Sequence, residues 1–352
     1  MQRDAVASTA LEGTMSLTPP SCEDTPVWDT WLAAYRMPAL AAADEVRLFE
    51  ALHERPDDAA GLGARLGLKV EALKAVLPML AALGFLEVRL GRYQLTPVAR
   101  TYLLHDGRFY WGHAFSIYRS GEPARTFVDA LRGRARSADD PAPSDAWESG
   151  QMPPALAAGV TAFMNSHSVP AAISLALQDL LGDVRRLLDV GGGSGCFSIA
   201  LAGARPELRA TVMELQPICD LADRYIADAG LSDRVDSRAV DMFRAAWPEG
   251  YDAIFMSNIF HDWDPETNAR LAASAFKALP SGGRIHLHEM LINDDGSGPL
   301  APAAFSMMML LGTKGRQYSL AEHKAILEGA GFRGVTATGS YGYFSVVTGV
   351  KP

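Results

Sequence analysis

From about residue 183 onward, short apolar runs alternate with longer helical segments, and this alternation constrains the fold more than any other feature. The apolar runs are RRLLDV, RATVMEL, VDSRAV, YDAIFMSNIF, RIHLHEMLI, GVTATGS and YFSVVTGV. Strands that alternate with helices are typical of a doubly wound α/β sheet. The last two runs are separated only by a turn around Tyr341 and Gly342. We therefore expect them to form an antiparallel hairpin at the sheet edge, because a parallel pair needs a long crossover.

The zone at residues 26–105 has the apolar spacing of helices and ends in a small β-hairpin. The pattern predicts a helix-turn-helix pair over residues 60–66 and 70–83. The segment FLEVRLGRYQLT at residues 85–96 alternates and turns at its Leu-Gly-Arg centre. A helix pair followed by a hairpin is a winged helix, which serves either to bind DNA or as a scaffold for dimerisation and packing.

Charge disfavours the DNA-binding interpretation. The chain carries a net charge of −9 at pH 7, whereas a nucleic-acid binder is expected to be basic. The second predicted helix offers Glu71, Lys74 and few other polar groups, but a helix that reads a groove needs Arg, Asn or Gln. We favour the packing scaffold and expect no nucleic-acid partner. A regulator whose α/β domain senses a ligand is the less favoured alternative.

Residues 106–182 are predicted to be a helical linker between these two zones. This linker contains an aromatic run, FYWGHAFSIY, at residues 109–118 and a polar loop at residues 132–145. The segment VTAFMNSHSVPAA at residues 160–172 is predicted to be helical until Pro170, because proline cannot continue the helical hydrogen bonds.

Residues 1–25 are predicted to be a disordered leader. They are polar and lack the apolar core of about 7–15 residues that a signal peptide needs. No apolar run in the chain reaches the ~18 residues of a membrane span. Cys22, Cys196 and Cys219 are odd in number and are not spaced as metal ligands, which fits a reducing compartment. We expect a cytoplasmic protein without a membrane partner.

A glycine-rich turn, LLDVGGGSG at residues 187–195, follows the first strand of the α/β zone. Ligands of doubly wound sheets bind outside the carboxyl ends of the strands. Glycine lets the chain turn sharply and lets a ligand approach the backbone. The spacing Gly191, Gly193, Gly195 is not the G-x-G-x-x-G of a nicotinamide dinucleotide site, because Cys196 stands where the third glycine would be. The turn is either a ligand site or merely a tight structural turn.

Two further segments favour a nucleoside ligand. Glu214 ends the second strand, nineteen residues after Gly195, and a carboxylate there can accept both ribose hydroxyls. Asp241, Met242 and Phe243 follow the third strand. The acid can accept from an adenine amino group, and the two apolar side chains can enclose the ring. The chain has no Walker lysine motif, which disfavours a nucleoside triphosphate.

In combination, these residues resemble the small-molecule O-methyltransferase family that uses S-adenosylmethionine. The segments that carry the resemblance are DVGGGSG, the acid at Glu214, DMF, FMSNIFHDW and LPSGGRIHLHEM. The family includes caffeate-type and acetylserotonin-type enzymes and bacterial natural-product and antibiotic-pathway enzymes. The resemblance covers about residues 30–350.

The resemblance implies a Rossmann-like methyltransferase domain at residues 183–352, preceded by a winged-helix dimerisation domain at 26–105. It also implies a homodimer in which the N-terminal domain and the linker at 106–182 help to build the substrate pocket. The cofactor is S-adenosylmethionine and its product is S-adenosylhomocysteine. The residues expected to bind the cofactor are Asp189, Gly191, Gly193, Gly195, Glu214, Leu215, Asp241, Met242, Phe243, Ser257 and Asn258. The last two stand where the family often has lysine and tryptophan.

Methylation of a hydroxyl requires a base, and histidine, with a pKa near neutral pH, is suited to that task. His261 lies just past the fourth strand, where it is either such a base or a core or helix-capping residue. The resemblance implies that the histidine of the family's HDW motif is the general base. His261 occupies that position.

The same resemblance implies that an acid at the end of the fifth strand, here Glu289, orients this histidine. A second family acid corresponds to Gln317, which can orient an imidazole or a substrate but cannot carry a negative charge. Either His261 is less basic than with two carboxylates, or the acceptor ionises more easily. Asp262 is either a further catalytic neighbour or a cap of the helix that starts near Asp264. Another departure is Ser306, which stands where the family frequently has an aspartate.

Three segments are candidates for the substrate wall. One matches the pocket-lining segment of the family and contains Phe163, Met164, Asn165 and His167. Another is the methionine run Met307, Met308 and Met309, whose flexible side chains adapt to flat rings, although such a run is more often part of a plain core. The third, which could close the entrance, contains Trp111, His113 and Phe115.

His286 and His288 alternate on one strand and share a face, opposite Glu289. They are either metal ligands, with His261 or Asp262 as a third, or donors of buried hydrogen bonds, and we assign no metal. The sequence predicts transfer of a methyl group to a hydroxyl of a small aromatic secondary metabolite. The alternative is a carbon or nitrogen acceptor on a related aromatic or amino-acid-derived substrate, with the same cofactor.

Overall fold

The computed structural model of the chain describes residues 17–119, 121–134 and 144–352. The predicted leader therefore falls mostly outside the described residues, as does most of the polar loop at 132–145. Leu17, near the end of that leader, packs on the core of the α/β domain. Among the described residues, no helix combines the length and apolar character needed to cross a membrane.

The N-terminal part is a helical domain with a two-stranded hairpin. Its elements are α1 (Thr25–Leu32), α2 (Arg36–Glu45), α3 (Leu48–Glu54), α4 (Ala59–Leu66), α5 (Val70–Ala82), β1 (Leu86–Arg89), β2 (Arg92–Leu95), α6 (Pro97–Tyr102), α7 (Gly112–Arg119) and α8 (Glu122–Arg132). Asp58 caps the start of α4 by accepting from the Gly61 N–H, and Gly67 ends it in the left-handed conformation. The predicted helix pair and hairpin are both present.

Two helices connect this domain to the sheet, α9 (Ser144–Ser149) and α10 (Pro154–Gln178). The prediction that the second of them ends at Pro170 was wrong, because α10 continues for eight residues beyond it. Proline removes one backbone donor and costs about 3 kcal/mol in a helix interior. Beyond it, Ala171, Ala172 and Leu175 are buried in the core of the α/β domain, and that apolar burial outweighs the cost.

The C-terminal part is a seven-stranded sheet with helices on both faces. Its strands are β3 (Arg186–Val190), β4 (Arg209–Glu214), β5 (Val235–Ala239), β6 (Ala253–Ser257), β7 (Arg284–Met290), β8 (Arg333–Gly339) and β9 (Phe344–Val350). Its helices are α11 (Cys196–Ala204), α12 (Gln216–Asp228), α13 (Pro265–Ala278), α14 (Leu300–Gly312) and α15 (Leu320–Gly329).

The strand order is β5-β4-β3-β6-β7-β9-β8, and β3 to β7 are parallel. Strand β9 is antiparallel to both of its neighbours, β7 and β8. The predicted α/β fold with an antiparallel last strand is confirmed. The chain leaves β3 in one direction and returns to β6 on its other side, so the order reverses between these two strands. Such a reversal opens a crevice at their carboxyl ends.

Helix α14 joins the two parts of the molecule. Phe305, Met307 and Met309 on this helix are buried in the same core as Leu73 and Leu77 of α5. The loop after α14, residues 313–319, runs back toward the end of β6. The N-terminal helices therefore adjoin the crevice through α14 and the loop that follows it.

Candidate active site

A cavity open to solvent, with about 1000 Å³ of empty space that includes part of that solvent, lies in the crevice at the carboxyl ends of β3 to β6. All but one of the residues predicted to bind the cofactor line it. The exception is Gly195, which caps α11 and whose added Cβ would lie 3.1 Å from Val212. Sequence reasoning missed other wall residues, namely Trp147, Thr161, Ser168, Ser194, Ile259 and Trp263. Their signal was weak because they belong to segments that were interpreted as linker, turn or core.

The glycine turn forms one wall of the cavity. Gly191 and Gly193 have positive φ angles of 68° and 57°, which side chains other than glycine rarely adopt. A Cβ at Gly191 would lie 2.4 Å from a carbon of Ile259, so a larger residue at position 191 would require Ile259 to move. A Cβ at Gly193 would meet no atom within 4 Å, and it would stand on the cavity wall.

Gly193→Ala is therefore expected to weaken cofactor binding beyond its effect on stability. Gly67→Ala is a matched control, since Gly67 has φ 66°, an equally free Cβ and a position at the end of α4 outside the cavity. Both variants should lose about 1 kcal/mol of unfolding free energy through the left-handed backbone. Calorimetric titration with S-adenosylhomocysteine should show reduced affinity for Gly193→Ala only. Equal affinities in the two variants would contradict a ligand against the turn.

Buried polar atoms along the cavity need partners. Ser198 donates to one oxygen of Asp189 at 2.7 Å, while the other oxygen has no partner in the described part of the chain. Three further buried groups also have no hydrogen-bond partner among the described residues: the Thr161 hydroxyl, the Asn258 side-chain oxygen and the Trp263 indole nitrogen. Buried polar groups are nearly always hydrogen-bonded. The cavity therefore offers donors and acceptors to a polar ligand.

Two carboxyls on this wall have raised pKa values. Burial raises the pKa of Glu214 to about 7, against the opposing effect of backbone N–H groups of Leu215 and Gly193. The Leu215 N–H donates to Glu214 at 3.0 Å. Burial also raises the pKa of Asp189 to about 6. Hydroxyl groups that donate to such a carboxylate favour its charged form.

At the far end of the cavity, Phe243 and Trp263 meet edge to face, with ring centroids 4.7 Å apart. Asp241 accepts from the Phe243 N–H at 2.9 Å and pairs with Arg244 at 2.5 Å. Its carboxylate lines the cavity but already has two partners. Met242, which stands between Asp241 and Phe243 in the sequence, also lines the wall. This end has the flat apolar walls that suit a purine ring.

Ser257 and Asn258 continue the wall from the end of β6. The Ser257 hydroxyl is 3.0 Å from Nδ1 of His288. Asn258 is buried, has a φ of 55°, and its N–H donates to the backbone oxygen of His288. Left-handed backbone at a buried asparagine is typical of functional sites.

His261 lies in a 3-10 turn over residues 260–262, next to the cavity rather than on its wall. Its Nδ1 is 2.8 Å from the Gln317 side-chain nitrogen and 3.4 Å from Oε2 of Glu289. Its Nε2 is 3.5 Å from Oδ1 of Asp262, which does line the cavity. The three groups predicted around this histidine are thus brought together in space.

The Gln317 amide decides which nitrogen of His261 is free. Turned so that its oxygen faces Nδ1, Gln317 accepts the Nδ1–H proton and leaves the lone pair on Nε2, toward the cavity. Glu289 Oε2 and Gln317 Oε1, which have no hydrogen-bond partner among the described residues, would then both face that proton. This tautomer is the one that a base at Nε2 requires.

Glu289 also fixes the turn that carries His261. Its Oε1 accepts from the N–H groups of Ile259 and Phe260 at 3.0 and 2.9 Å. Burial raises the pKa of Glu289 to about 8 and lowers the pKa of His261 to about 3, aided by His167 and His323. Burial raises the pKa of Asp262 to about 8. The imidazole is therefore neutral at pH 7.

An aromatic cluster borders His261 through the Phe305 ring. It consists of Trp28, Trp31, Phe163, His167 and Phe305. The Phe305 ring meets His261 edge to face at 5.1 Å and packs on both tryptophans. Sequence reasoning missed Trp28, Trp31 and Phe305. The available signal was the spacing of the two tryptophans, three residues apart on one face of α1.

The other predicted substrate residues are dispersed. Met164 lines the cavity. Met307 and Met309 are buried in the core around α5, against which Met308 also packs. Phe115 is buried in that same core, whereas Trp111 is 60% exposed. Neither Trp111 nor Phe115 lines the cavity.

His286 and His288 both have hydroxyl neighbours, although Nε2 of His286 has no hydrogen-bond partner among the described residues. Nδ1 of His286 is 2.9 Å from the Thr348 hydroxyl. The two nitrogens of His288 face the hydroxyls of Ser257 and Ser340, each at 3.0 Å, and its ring stacks on Phe344. Within residues 17–119, 121–134 and 144–352, no three histidine, cysteine or acidic side chains are grouped to hold a metal ion.

Comparison with known proteins gives two family matches. Residues 142–333 match the profile of an O-methyltransferase domain, and residues 28–105 match that of an O-methyltransferase dimerisation domain. The chain is 38% identical to 3-hydroxy-5-methyl-1-naphthoate 3-O-methyltransferase of Streptomyces sahachiroi, over 96% of this chain and 99% of that protein.

Two further proteins are similar along most of the chain. The L-tyrosine C(3)-methyltransferase of Streptomyces lavendulae is 35% identical over 83% of this chain and 82% of that protein. The crystal structure of an O-methyltransferase family 2 protein from Planctomyces limnophilus in complex with apigenin has a TM-score of 0.85. It is 28% identical and covers 97% of this chain and 100% of that one.

Proposed function

The chain belongs to the S-adenosylmethionine-dependent O-methyltransferase family, and on that premise we propose that it methylates a hydroxyl of a flat aromatic molecule with His261 as the general base. The observation that carries the proposal is the position of His261. Its ring stands between Asp262 on the cavity wall and Phe305 of the aromatic cluster. A base at that position faces both the cofactor and an aromatic acceptor.

The residues of the cavity fit the cofactor. Glu214 is proposed to accept from the ribose hydroxyls, and Met242, Phe243 and Trp263 to enclose the adenine. The unpartnered atoms of Asp189 and Thr161 supply further polar contacts. When bound, S-adenosylmethionine supplies a methyl group on a positively charged sulfur.

The histidine is proposed to take the acceptor proton at Nε2. A phenol has a pKa near that of tyrosine, about 10, so its oxygen is a weak nucleophile until the proton leaves. Burial lowers the pKa of His261, so the ring is neutral and has a free lone pair for that proton, but the charge formed on transfer must be stabilised by its neighbours. Burial raises the pKa of the Glu289 carboxyl, but a positive charge on the ring, whose Nδ1 is 3.4 Å away, favours the ionised form, and the carboxylate then stabilises that charge. Gln317 holds the ring orientation by its hydrogen bond.

The aromatic cluster supports a flat acceptor. Phe305 meets the ring of the base and packs on Trp28 and Trp31, and aromatic faces prefer to pack on other aromatic rings. The relatives named above act on a naphthoate hydroxyl and on a tyrosine ring carbon. A ring carbon next to a phenol could use the same base, so carbon methylation is the second candidate, and the C(3)-methyltransferase relative favours it.

We also propose a homodimer, since residues 28–105 match a dimerisation domain. Tyr102, Phe109 and Trp111 expose large apolar surfaces on and beside α6 and α7. Exposed apolar groups that lie together on a surface mark interaction sites. Trp111 would then contact the second copy.

The experiment measures cofactor binding, the product of turnover and the oligomeric state of the protein. Calorimetry with S-adenosylhomocysteine tests the cofactor site. Incubation with 13C-methyl cofactor and a panel of hydroxynaphthoates, apigenin and tyrosine tests the acceptor. The carbon shift of the product methyl separates methoxy from ring-methyl products. A methoxy product supports the proposal, and a ring-methyl product supports the second candidate. Cofactor binding with no aromatic turnover would overturn the acceptor class, and a monomer by light scattering would overturn the dimer.

A further inference from the structure

We propose that Arg316 is a positioning residue that ties Gln317, the partner of His261, to Glu71 on the N-terminal helix α5. The inference rests on the proposed role of His261 and extends it to a residue in the other domain. Glu71 is one of the few polar groups on the helix that would read DNA in a winged-helix regulator. Its Oε2 accepts from Arg316 instead, while its Oε1 accepts from Lys74 on the same helix at 3.0 Å.

Arg316 is a buried cation held by two carboxylates from separate helices. Its side chain is 4% exposed. Nε donates to Glu71 of α5 at 3.2 Å, while Nη1 and Nη2 donate to Glu322 of α15 at 2.9 and 2.6 Å. The guanidinium also lies over the Tyr318 ring, 4.4 Å from its centroid. A bidentate pair with a second carboxylate on Nε fixes the guanidinium in position and orientation.

The loop at residues 313–319 is pinned on the turn that carries His261. The Lys314 N–H donates to the backbone oxygen of Asp262 at 3.0 Å, and the Tyr318 hydroxyl donates to the backbone oxygen of Trp263 at 2.6 Å. A Cβ on Gly315 would lie 2.2 Å from the His261 backbone oxygen, so the two segments are in direct contact. The loop thus transmits any displacement to the histidine.

Gln317 stands between these two attachments. Its N–H donates to the Ser306 hydroxyl at 3.0 Å, and its backbone oxygen accepts from Nη1 of Arg316 at 3.1 Å. Its side chain reaches Nδ1 of His261 at 2.8 Å. Arg316, which is tied to α5, holds the Gln317 backbone in place. If Arg316 loses its contact with Glu71, the side-chain amide of Gln317 is therefore free to move away from the His261 ring.

A purely structural ion pair would stabilise the fold without affecting His261. The distinguishing property is the ring tautomer, which is selected by the two groups that face Nδ1, the Gln317 amide at 2.8 Å and the Glu289 carboxyl at 3.4 Å. The ring nitrogens of each histidine tautomer have different NMR shifts, and this readout requires neither cofactor nor turnover. His261 signals can be assigned by their loss in His261→Ala.

The main variant is Glu71→Gln, because Glu71 is 46% exposed and its replacement leaves no buried charge on α5. Glu45→Gln is the matched control. Glu45 pairs with Arg132 at 3.4 Å in the same domain, both about one third exposed, and neither contacts the loop. Arg316→Lys is the stronger variant, since a lysine cannot form the fork with Glu322 and reach Glu71 together.

We expect Glu71→Gln to shift the His261 ring signals and to lower kcat while the KM for the cofactor is unchanged. Arg316→Lys should lower kcat by up to about 10²-fold, the scale of a misplaced catalytic group. Adding Glu71→Gln to Arg316→Lys should cost little more, because the two residues act through one contact. Glu45→Gln should leave the ring signals and kcat as in the wild type.

Wild-type ring signals and kcat in Glu71→Gln would overturn the inference, as would an equal effect of Glu45→Gln. If Arg316→Lys does not fold, the exposed Glu71→Gln variant still decides. The base role of His261 and the positioning role of Arg316 can each be overturned without the other. Full turnover in His261→Ala would remove the base role, whereas the ring signals of His261 would still report whether Glu71 and Arg316 set its tautomer.

Discussion

His261→Ala is expected to lower kcat by about 10²- to 10⁴-fold, the contribution of general-base catalysis, and to leave the affinity for S-adenosylhomocysteine nearly unchanged. The histidine adjoins the cavity without lining it, so its loss removes the proton acceptor rather than a wall of the cofactor site. Turnover with the best acceptor and calorimetric titration measure the two quantities on the same sample.

His286→Ala is the matched control for that variant. His286 is as deeply buried as His261, but its ring faces Thr348 instead of Gln317. Each alanine leaves a void where the imidazole was. Any loss of stability that such a void causes should therefore appear in both variants. A rate in His261→Ala equal to that of His286→Ala would mean that the enzyme works by alignment of the reactants alone.

The pH dependence of the wild type follows from the same burial. An exposed histidine would be protonated below about pH 6.5 and lose its basic form. Burial lowers the pKa of His261 to about 3, so the neutral ring persists as the pH falls from 7 to 5, below the range in which Glu289 and Asp262, with pKa values of about 8, change charge. At saturating cofactor we expect kcat to stay flat over that range. A fall in kcat centred near pH 6.5 would contradict a buried, neutral base.

The cofactor side of the site was accessible from sequence because its residues are local to strand ends. In a parallel sheet, Asp189, Glu214, Asp241 and Ser257 each lie at or next to the end of a strand, and the carboxyl ends meet at one edge. Pattern alone fixes which residues end a strand. Gly195 is the exception because it caps α11, while its neighbours Ser194 and Cys196 line the cavity.

The acceptor side was not accessible in the same way. Trp28 and Phe305 are far apart in sequence, yet their rings are 5.6 Å apart. Their meeting depends on how α1 and α14 pack, which no local pattern encodes. Pro170 illustrates the same limit, since a local rule for ending a helix was overridden by burial in the tertiary structure. The link from Glu71 to Gln317 likewise joins segments that only the fold brings together.

Glu214→Gln is expected to weaken binding of S-adenosylhomocysteine by about 10- to 100-fold. A hydrogen bond to a charged group contributes about 1.5–3 kcal/mol, and 1.4 kcal/mol is a factor of ten in affinity. Glutamine keeps the shape of the side chain but presents an amide where a ribose hydroxyl must donate. Asp241→Asn is the control on the same wall, and it should lose less because Asp241 already pairs with Arg244.

The same carboxyl gives cofactor binding a pH dependence with a defined sign. Burial raises the pKa of Glu214 to about 7 in the free protein, so below pH 7 the carboxyl is mostly protonated. Binding that requires the carboxylate must then release a proton, and the wild-type Kd should rise about tenfold per pH unit as the pH falls below 7. Above pH 7 the affinity should be constant.

Calorimetry at several pH values, in buffers of different ionisation enthalpy, measures both the affinity and the protons released. Glu214→Gln should retain only the dependence below pH 6 that Asp189 contributes, since burial raises the pKa of that carboxyl to about 6. Wild-type affinity and proton release in Glu214→Gln would remove the ribose assignment. The polar contacts of the cavity would then have to come from Asp189 and the unpartnered groups of Thr161 and Asn258.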